Sequence, residues 1–241
     1  MDTPYAIEHR QRVDSTQDVA LTLAKSTGEN VLVTADEQVS GRGRAGHQWW
    51  QADKNLFMSL AFYPRWAASD WGRIPLVAGV AVVAATQAVF GVAVDLKWPN
   101  DLTVGEMKVG GILVEARGDL VVAGFGMNLV WREAPTGATG LLRQAADVTA
   151  GSTATLANEI AKRLLAVCAA DANRWPRTEY IERCSTIGRL ITWDGGGPAM
   201  AVDVLCGGEL LVRTAHGDQR LAASEVRHLR AATLSAGNTG Q

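Results

Sequence analysis

The sequence predicts a domain of mixed helices and strands over its first 185 residues, followed by a small all-β barrel. Three observations predict this. Apolar residues in the first part recur at helical spacing in some segments and at alternate positions in others. Two long apolar runs, 109–116 and 120–129, flank Arg117-Gly118-Asp119, which signals an antiparallel hairpin. After about Cys184 the texture changes to short β-like runs broken by glycine turns, such as Asp194-Gly195-Gly196-Gly197-Pro198 and Cys206-Gly207-Gly208.

The elements follow in chain order. Ser15-Thr16-Gln17-Asp18 reads as a helix start, with Ser15 as N-cap and Asp18 three residues on. Val19, Ala20, Leu23 and Ala24 recur at helical spacing, and Gly28 ends the run. Residues 31–35 read as a strand and 38–47 as a polar, glycine-broken loop. A second strand is expected over 55–63, with Leu56, Met58, Leu60 and Phe62 on one face. A long helix is expected from Ser69 or Asp70 to just before Gly91, then a strand over 92–98 that Pro99 stops.

Segment 74–94 is uncharged and long enough to span a bilayer. It is mostly Ala and Val, and it lacks the Leu, Ile and Phe density that drives insertion, so it reads as a core helix and a strand. Residues 153–174 read as an amphipathic helix with Leu156, Ile160, Leu164 and Val167 on one stripe. Strands are expected over 190–193, 199–205, 210–214 and 226–229. Residues 234–241 read as a flexible tail.

Composition narrows the function. The chain has 241 residues, 47% of them hydrophobic and 20% charged, which suits a globular protein with a large core. Lys and Arg total 23 against 25 Asp and Glu, for a net charge of −2. That balance disfavours broad binding to nucleic acid or anionic membrane. Cys168, Cys184 and Cys206 form no Cys-x-x-Cys pair, which fits a reducing cytoplasm. His9, His47, His216 and His228 are scattered without zinc-ligand spacing, so no metal site of side chains is expected.

Three motifs carry candidate chemistry. In Ser40-Gly41-Arg42-Gly43-Arg44-Ala45-Gly46-His47-Gln48-Trp49, glycines allow close backbone approach and two arginines suit carboxylate or phosphate. Trp49 and Trp50 offer flat faces for a ring. It is neither a P-loop nor a dinucleotide fingerprint. By itself it also reads as a solvated loop or an Arg-Gly segment that touches RNA. Lys97-Trp98-Pro99-Asn100-Asp101 is a strand-ending turn, or a place where Asn100 and Asp101 face a cleft and Asp101 holds Mg2+ or accepts a proton. Lys108-Val109-Gly110-Gly111-Ile112-Leu113-Val114-Glu115 opens a strand with a lysine and two glycines. Such glycines mark close approach of a ligand or another backbone, and Lys108 can neutralise a phosphate there. Gly124-Phe125-Gly126-Met127-Asn128 repeats the pattern.

Taken in order, with Asp14-Ser15-Thr16 before them and Arg183-Cys184-Ser185-Thr186-Ile187-Gly188 and Val226-Arg227-His228-Leu229-Arg230 after them, these motifs resemble those of biotin–protein ligases. These enzymes are also called biotin–[acetyl-CoA-carboxylase] ligases or holocarboxylase synthetases. The resemblance covers nearly the whole chain. It implies an α+β fold, with a mixed sheet backed by helices as in class II aminoacyl-tRNA synthetases, over residues 1–185. It implies a small SH3-like β-barrel over 186–233. It implies biotin binding by Ser15, Thr16, Gln17, Gln38, Arg42, Gly43, Arg44, Lys108, Gly110 and Gly111. ATP or the adenylate would meet Arg42, Arg44, Trp49, Asn100, Asp101, Lys108 and Asn128. Lys108, Arg44 and Asp101 would be catalytic, with ATP and Mg2+ required and Mg2+ near Asp101. Two departures stand out: Ala45 and His47 replace family arginines, and Gln17 replaces the usual Asn.

The implied reaction activates biotin as biotinyl-5′-AMP and transfers it to a lysine of a biotin carboxyl-carrier domain. A lipoate or octanoate ligase, a biotin-sensing transcriptional repressor and a non-catalytic RNA-binding protein are the rival readings. Fourteen residues before Ser15 are too few for a helix-turn-helix, so a ligase without repressor activity is expected, with no nucleic-acid or membrane partner. A cytoplasmic monomer or weak homodimer is expected. The 41–47 loop is expected to be mobile without ligand, with both arginines unpaired and open to trypsin, and to order over biotinyl-5′-AMP.

Overall fold

Apolar runs that alternate with helices build a seven-stranded sheet, ordered β1-β2-β3-β7-β6-β5-β4. Its strands are β1 (Ala6–Val13), β2 (Val31–Gln38), β3 (Lys54–Phe62), β4 (Asp95–Lys97), β5 (Asp101–Val104), β6 (Met107–Arg117) and β7 (Leu120–Val130). The structure, a computed structural model, describes residues 3–46, 49–223, 226 and 229–231. His47, Arg227, His228 and the expected tail 234–241 lie outside the described residues. β1 and β2 pair in parallel and the other neighbours are antiparallel, so the sheet is mixed.

Helix α1 (Thr16–Thr27) covers one face. Its Ala20 and Ala24 pack with Val31, Val33, Ala61, Leu120 and Val122. Helices α2 (Ile74–Phe90) and α3 (Ala150–Cys168) cover the other face with the larger core. Strand β3 is therefore buried on both faces: Leu56, Met58, Leu60 and Phe62 as expected, and Phe57, Ser59 and Ala61 as well. Gly28 and Gly91 close α1 and α2 at φ values of +73° and +67°, the left-handed region where glycine is at ease. The stretch Ala68–Phe90 is long and apolar enough to cross a membrane, but Ile74, Leu76, Val77, Ala78, Ala81 and Val82 are buried in the core.

Several expectations need correction. Ser15 occupies the N-cap position of α1, yet its side chain makes no capping bond; the Gln38 side chain accepts from the Thr16 N–H at 2.9 Å instead. The helix expected from Ser69 or Asp70 begins as a 3-10 segment, Ala68–Arg73, and becomes α-helical at Ile74. The strand expected over 92–98 shrinks to β4: β5 pairs only with Asp95, Leu96 and Lys97, so residues 92–94 stay outside the ladder, and Trp98 to Asn100 form a turn. The helix expected over 153–174 starts earlier, at Ala150, and ends at Cys168. A separate 3-10 turn, Ala172–Arg174, and α4 (Arg177–Arg183) follow.

Thr149 sets that earlier start of α3. Its hydroxyl accepts from the Ser152 N–H at 3.0 Å, while Ser152 Oγ accepts from the Thr149 N–H at 2.9 Å. Thr149→Ala should cost about 1 kcal/mol, or roughly 2–4 °C in Tm for a chain of this size. An unchanged melting curve would mean that packing alone holds this helix end.

The C-terminal strands form a separate five-stranded antiparallel sheet, ordered β11-β10-β9-β8-β12. They are β8 (Leu190–Trp193), β9 (Gly196–Val204), β10 (Leu210–Thr214), β11 (Gly217–Leu221) and β12 (Leu229–Ala231). The strand expected over 226–229 is displaced to β12, whose Leu229 pairs with Trp193. This sheet is tied to the first. Trp98 donates from its backbone to Thr186 Oγ1 at 2.9 Å and from its indole to the Gly208 carbonyl at 3.0 Å. Trp175 donates to the Cys206 carbonyl at 2.9 Å.

Candidate active site

A cavity of about 530 Å3 opens where the N-terminus of α1, Gln38, residues 42–44 and 49–50, and the ends of β5, β6 and β7 converge. This volume suits a small-molecule ligand. The described residues that line it include four basic side chains, Arg42, Arg44, Lys97 and Lys108, against one carboxylate, Asp101. A chain of net charge −2 thus concentrates positive charge in one cleft, which favours an anionic ligand.

The end beneath α1 is polar and neutral. Thr16 Oγ1 donates to Gln38 Oε1 at 3.0 Å and lies 2.8 Å from Ser59 Oγ. The Thr16 backbone N–H can only donate, so the Gln38 atom that faces it is the amide oxygen. The Gln38 amino group lies against Gly41, where a Cβ would come within 2.7 Å of it. Gln17 Nε2 donates to the Leu113 carbonyl at 3.1 Å and lies across Gly124, where a Cβ would come within 2.9 Å of its side chain. Gly124 is bare because Gln17 needs that space.

The floor is made of glycine. Gly111 and Gly126 are direct partners in the β6–β7 ladder, and the Trp49 indole lies over both. A Cβ on Gly126 would come within 2.7 Å of the Trp49 ring, and one on Gly111 within 3.2 Å. Among the described residues the buried Trp49 indole N–H finds no acceptor and the buried Asn128 Oδ1 finds no donor. Orphaned polar atoms in a cavity wall are expensive unless a ligand satisfies them.

The other end is charged. Lys108 Nζ donates to Asp101 Oδ1 at 2.5 Å and stands 5.8 Å from the Trp49 ring centre. Arg44 donates to Asn100 Oδ1 at 3.1 Å, to the Val226 carbonyl at 2.7 Å and to the Ala223 carbonyl. Burial pushes the Arg44 pKa down, and the Asp101 charge offsets only part of that. Asn100 in turn donates to the Ile112 carbonyl at 3.0 Å, which fixes the turn before β5.

The 10–128 stretch matches the model of the biotin/lipoate A/B protein ligase family. A biotin–[acetyl-CoA-carboxylase] ligase of Mycobacterium tuberculosis is 31% identical over 220 residues, which cover 84% of this chain and 80% of that protein. The chain belongs to the biotin/lipoate A/B protein ligase family. The fold agrees with that assignment. A biotin protein ligase of Aquifex aeolicus, solved with biotin and ATP, superposes with a TM-score of 0.79 at 25% identity, covering 94% of this chain and 99% of that one. One from Leishmania major, solved with biotinyl-5-AMP, gives a TM-score of 0.63 at 30% identity, covering 90% and 98%. Other curated relatives, 36–37% identical, align over about half of this chain, and the aligned stretch is 38–52% of their own length.

Within this ligase-family fold, the structure brings nearly all the expected site residues together. Ser15, Thr16, Gln17, Gln38, Arg42, Gly43, Arg44, Trp49, Asn100, Asp101, Lys108, Gly111 and Asn128 all line the cavity. Gly110 does not. A Cβ there would meet Leu102 and the Gly126 carbonyl, so its bareness serves packing within the sheet. The two arginines are not unpaired. Arg42 clamps Asp18 of α1 with bonds of 2.8 and 2.7 Å, which raise the Arg42 pKa and hold the Asp18 carboxyl below its usual range. Arg44 is tied to the turn and to the C-terminal segment.

Ser59, Lys97, Trp131, Val226 and the Pro135–Ala138 loop also line the cavity, beyond the residues expected to meet a ligand. Lys97 stood inside a motif already singled out. The loop carries no local signal. The backbone of Lys108 holds it in place, donating to the Gly137 carbonyl at 2.9 Å and accepting from the Thr139 N–H at 2.9 Å.

Proposed function

We propose that this chain is an ATP-dependent biotin–protein ligase. The observation that carries the reading is a continuous cavity that joins the neutral polar cluster of Thr16, Gln38 and Ser59 to the cationic end at Arg44 and Lys108. Biotin has that same polarity, a neutral ureido head and a carboxylate tail. The ring head faces Ser15, Thr16, Gln17 and Gln38. The carboxylate reaches toward Lys108 beside Gly111, and Arg42, Gly43 and Arg44 cover it. Adenine lies against Trp49 and meets the unsatisfied Asn128 Oδ1 with its amino group. The relatives solved with biotin, ATP and biotinyl-5-AMP support this reading.

In the first step a biotin carboxylate oxygen attacks the α-phosphorus of ATP, and pyrophosphate leaves with the electron pair of the broken bond. Both reactants are anions, so the chain must cancel their repulsion and hold them in line. Lys108 and Arg44 supply fixed positive charge there, a preorganised electrostatic contribution. Among the described residues no group of three or more His, Cys, Asp or Glu side chains is placed to hold a metal. The single carboxylate of Asp101 fits Mg2+ that arrives with the triphosphate and keeps much of its water. When bound, Mg2+ neutralises phosphate charge.

In the second step the amine of an acceptor lysine attacks the mixed anhydride and AMP leaves. That amine is protonated near pH 7. Asp101 Oδ2 carries no hydrogen bond among the described residues, so it is available to orient the amine and take its proton. The acceptor is a carboxyl-carrier domain of a carboxylase. Free Cys168, Cys184 and Cys206 support a reducing, cytoplasmic setting. Residues 1–185 form the catalytic unit. The five-stranded sheet is an SH3-like barrel over 186–233, and the protein works as a monomer or weak homodimer without a nucleic-acid or membrane partner.

Incubation with ATP, labelled biotin and an apo-carrier domain tests the function. Stable label on the carrier, dependent on ATP, is the expected result. Label from lipoate and none from biotin would overturn it.

A further inference from the structure

Lys97 sits in a motif whose other polar members already have roles. We propose that Lys97 binds the pyrophosphate that leaves ATP, and so serves the first half-reaction and not the second; the proposal rests on the ligase reading above.

Lys97 ends β4 directly opposite Asp101 in the antiparallel register, so the two side chains share a face. Both line the cavity. Across the sheet's edge Asp101 pairs with Gly111 of the floor on one side and with Lys97 on the other, and the Lys108 side chain reaches Asp101 from further along β6, so Asp101 stands between the two lysines. The other cations of the wall are already engaged: Lys108 by Asp101, Arg42 by Asp18, and Arg44 by Asn100 and the Val226 carbonyl. Lys97 makes no hydrogen bond or ion pair with the described residues. Glu106 feels its charge, but that carboxylate is taken by Arg189 at 2.7 Å.

The chemistry needs a cation at this position. Attack by the carboxylate breaks the bond between the α-phosphorus and its bridging oxygen, and the electron pair stays on pyrophosphate. Negative charge therefore grows on the group that points away from biotin and adenine. With adenine on Trp49 and the α-phosphate at Lys108, that group lies on the outer side of Asp101, next to Lys97. A lysine ammonium, a compact charge on a flexible stem, suits a leaving group that must be neutralised and then released. Once pyrophosphate has gone, nothing in the transfer of biotin to the acceptor lysine calls for this charge.

The test compares wild type with Lys97→Met and Lys97→Arg. Biotin-dependent pyrophosphate release should lose about 10- to 100-fold in kcat/KM for ATP in Lys97→Met, the effect of one hydrogen bond to a charged group. The KM for pyrophosphate in the reverse reaction should rise by a similar factor. Transfer from supplied biotinyl-5′-AMP to the carrier should stay within about twofold, and Lys97→Arg should recover most of the first step. Unchanged pyrophosphate kinetics, or an equal fall in both half-reactions, would overturn the proposal. Calorimetric titration of inorganic pyrophosphate into both proteins reads the site independently: weaker binding by Lys97→Met supports it and equal binding refutes it. A wild type that binds pyrophosphate but never releases it from ATP on biotin addition would sink the ligase reading alone.

Discussion

Lys108→Ala should slow biotin-dependent pyrophosphate release by ~10²–10³, the usual loss when one preorganised charge contact is removed. The Lys108 ammonium lies 2.5 Å from Asp101 Oδ1, at the end of the cavity where two anions must meet. Without it, Asp101 is left as bare negative charge beside the reacting carboxylate and phosphate. The mutation therefore removes an attraction and exposes a repulsion. The fold should survive. Both side chains of the pair are partly exposed, and such a pair contributes only about 0–1 kcal/mol. Its backbone bonds to Gly137 and Thr139 do not need the side chain. Near-normal pyrophosphate release by a protein of unchanged Tm would remove Lys108 from the mechanism.

Arg44→Ala should show a double effect. The guanidinium reaches Asn100 Oδ1 on one side and the carbonyls of Ala223 and Val226 on the other, so it joins the nucleotide end of the cavity to the C-terminal segment. Adenylate formation should fall ~10²-fold or more through the lost charge. Stability should fall by about 1–3 kcal/mol, because part-buried acceptors, the buried Val226 carbonyl among them, lose their donor. Arg44→Lys should restore little, since an ammonium cannot span both sets of partners as a planar fork does. Rate assays paired with urea unfolding separate the two effects. Full stability with a large rate loss would show that the C-terminal carbonyls do not depend on Arg44, and normal rates with lost stability would make it a structural strut.

Much of the fold was legible in the sequence wherever a segment buries one side of itself in a regular way. Helix α1 begins and ends where Ser15 and Gly28 indicate, and the β6–β7 hairpin turns at Arg117-Gly118-Asp119 as its flanking apolar runs require. β1 and β11 were not legible. β1 carries Glu8, His9, Arg10, Gln11 and Arg12 at the edge of the sheet, and β11 is largely exposed. A strand held by backbone pairing on one side, with little apolar surface to hide, leaves no period in the sequence. The helix expected over 153–174 was misplaced at both ends because apolar residues past Cys168 continue the pattern without continuing the helix. Its true start depends on a side-chain bond between Thr149 and Ser152.

The candidate site divides along the same line. Sequence alone singled out the glycine–arginine loop, the Trp98-Pro99 turn, Lys108 and the paired glycines, because these motifs, each of which alone also reads as a loop, turn or packing glycine, occur together in one order. Its expectation that both arginines stand unpaired is overturned by the fold. That Arg42 holds Asp18, that Arg44 reaches Ala223 and Val226, 179 and 182 positions away in sequence, and that Ser59 and Lys97 face the cavity follow from the tertiary structure. Local propensity, capping and burial act over a few residues, so they are written in the order of the chain. Which cation meets which carboxylate, and which is left free for a ligand, is a matter of distances across strands, and only the folded sheet sets those.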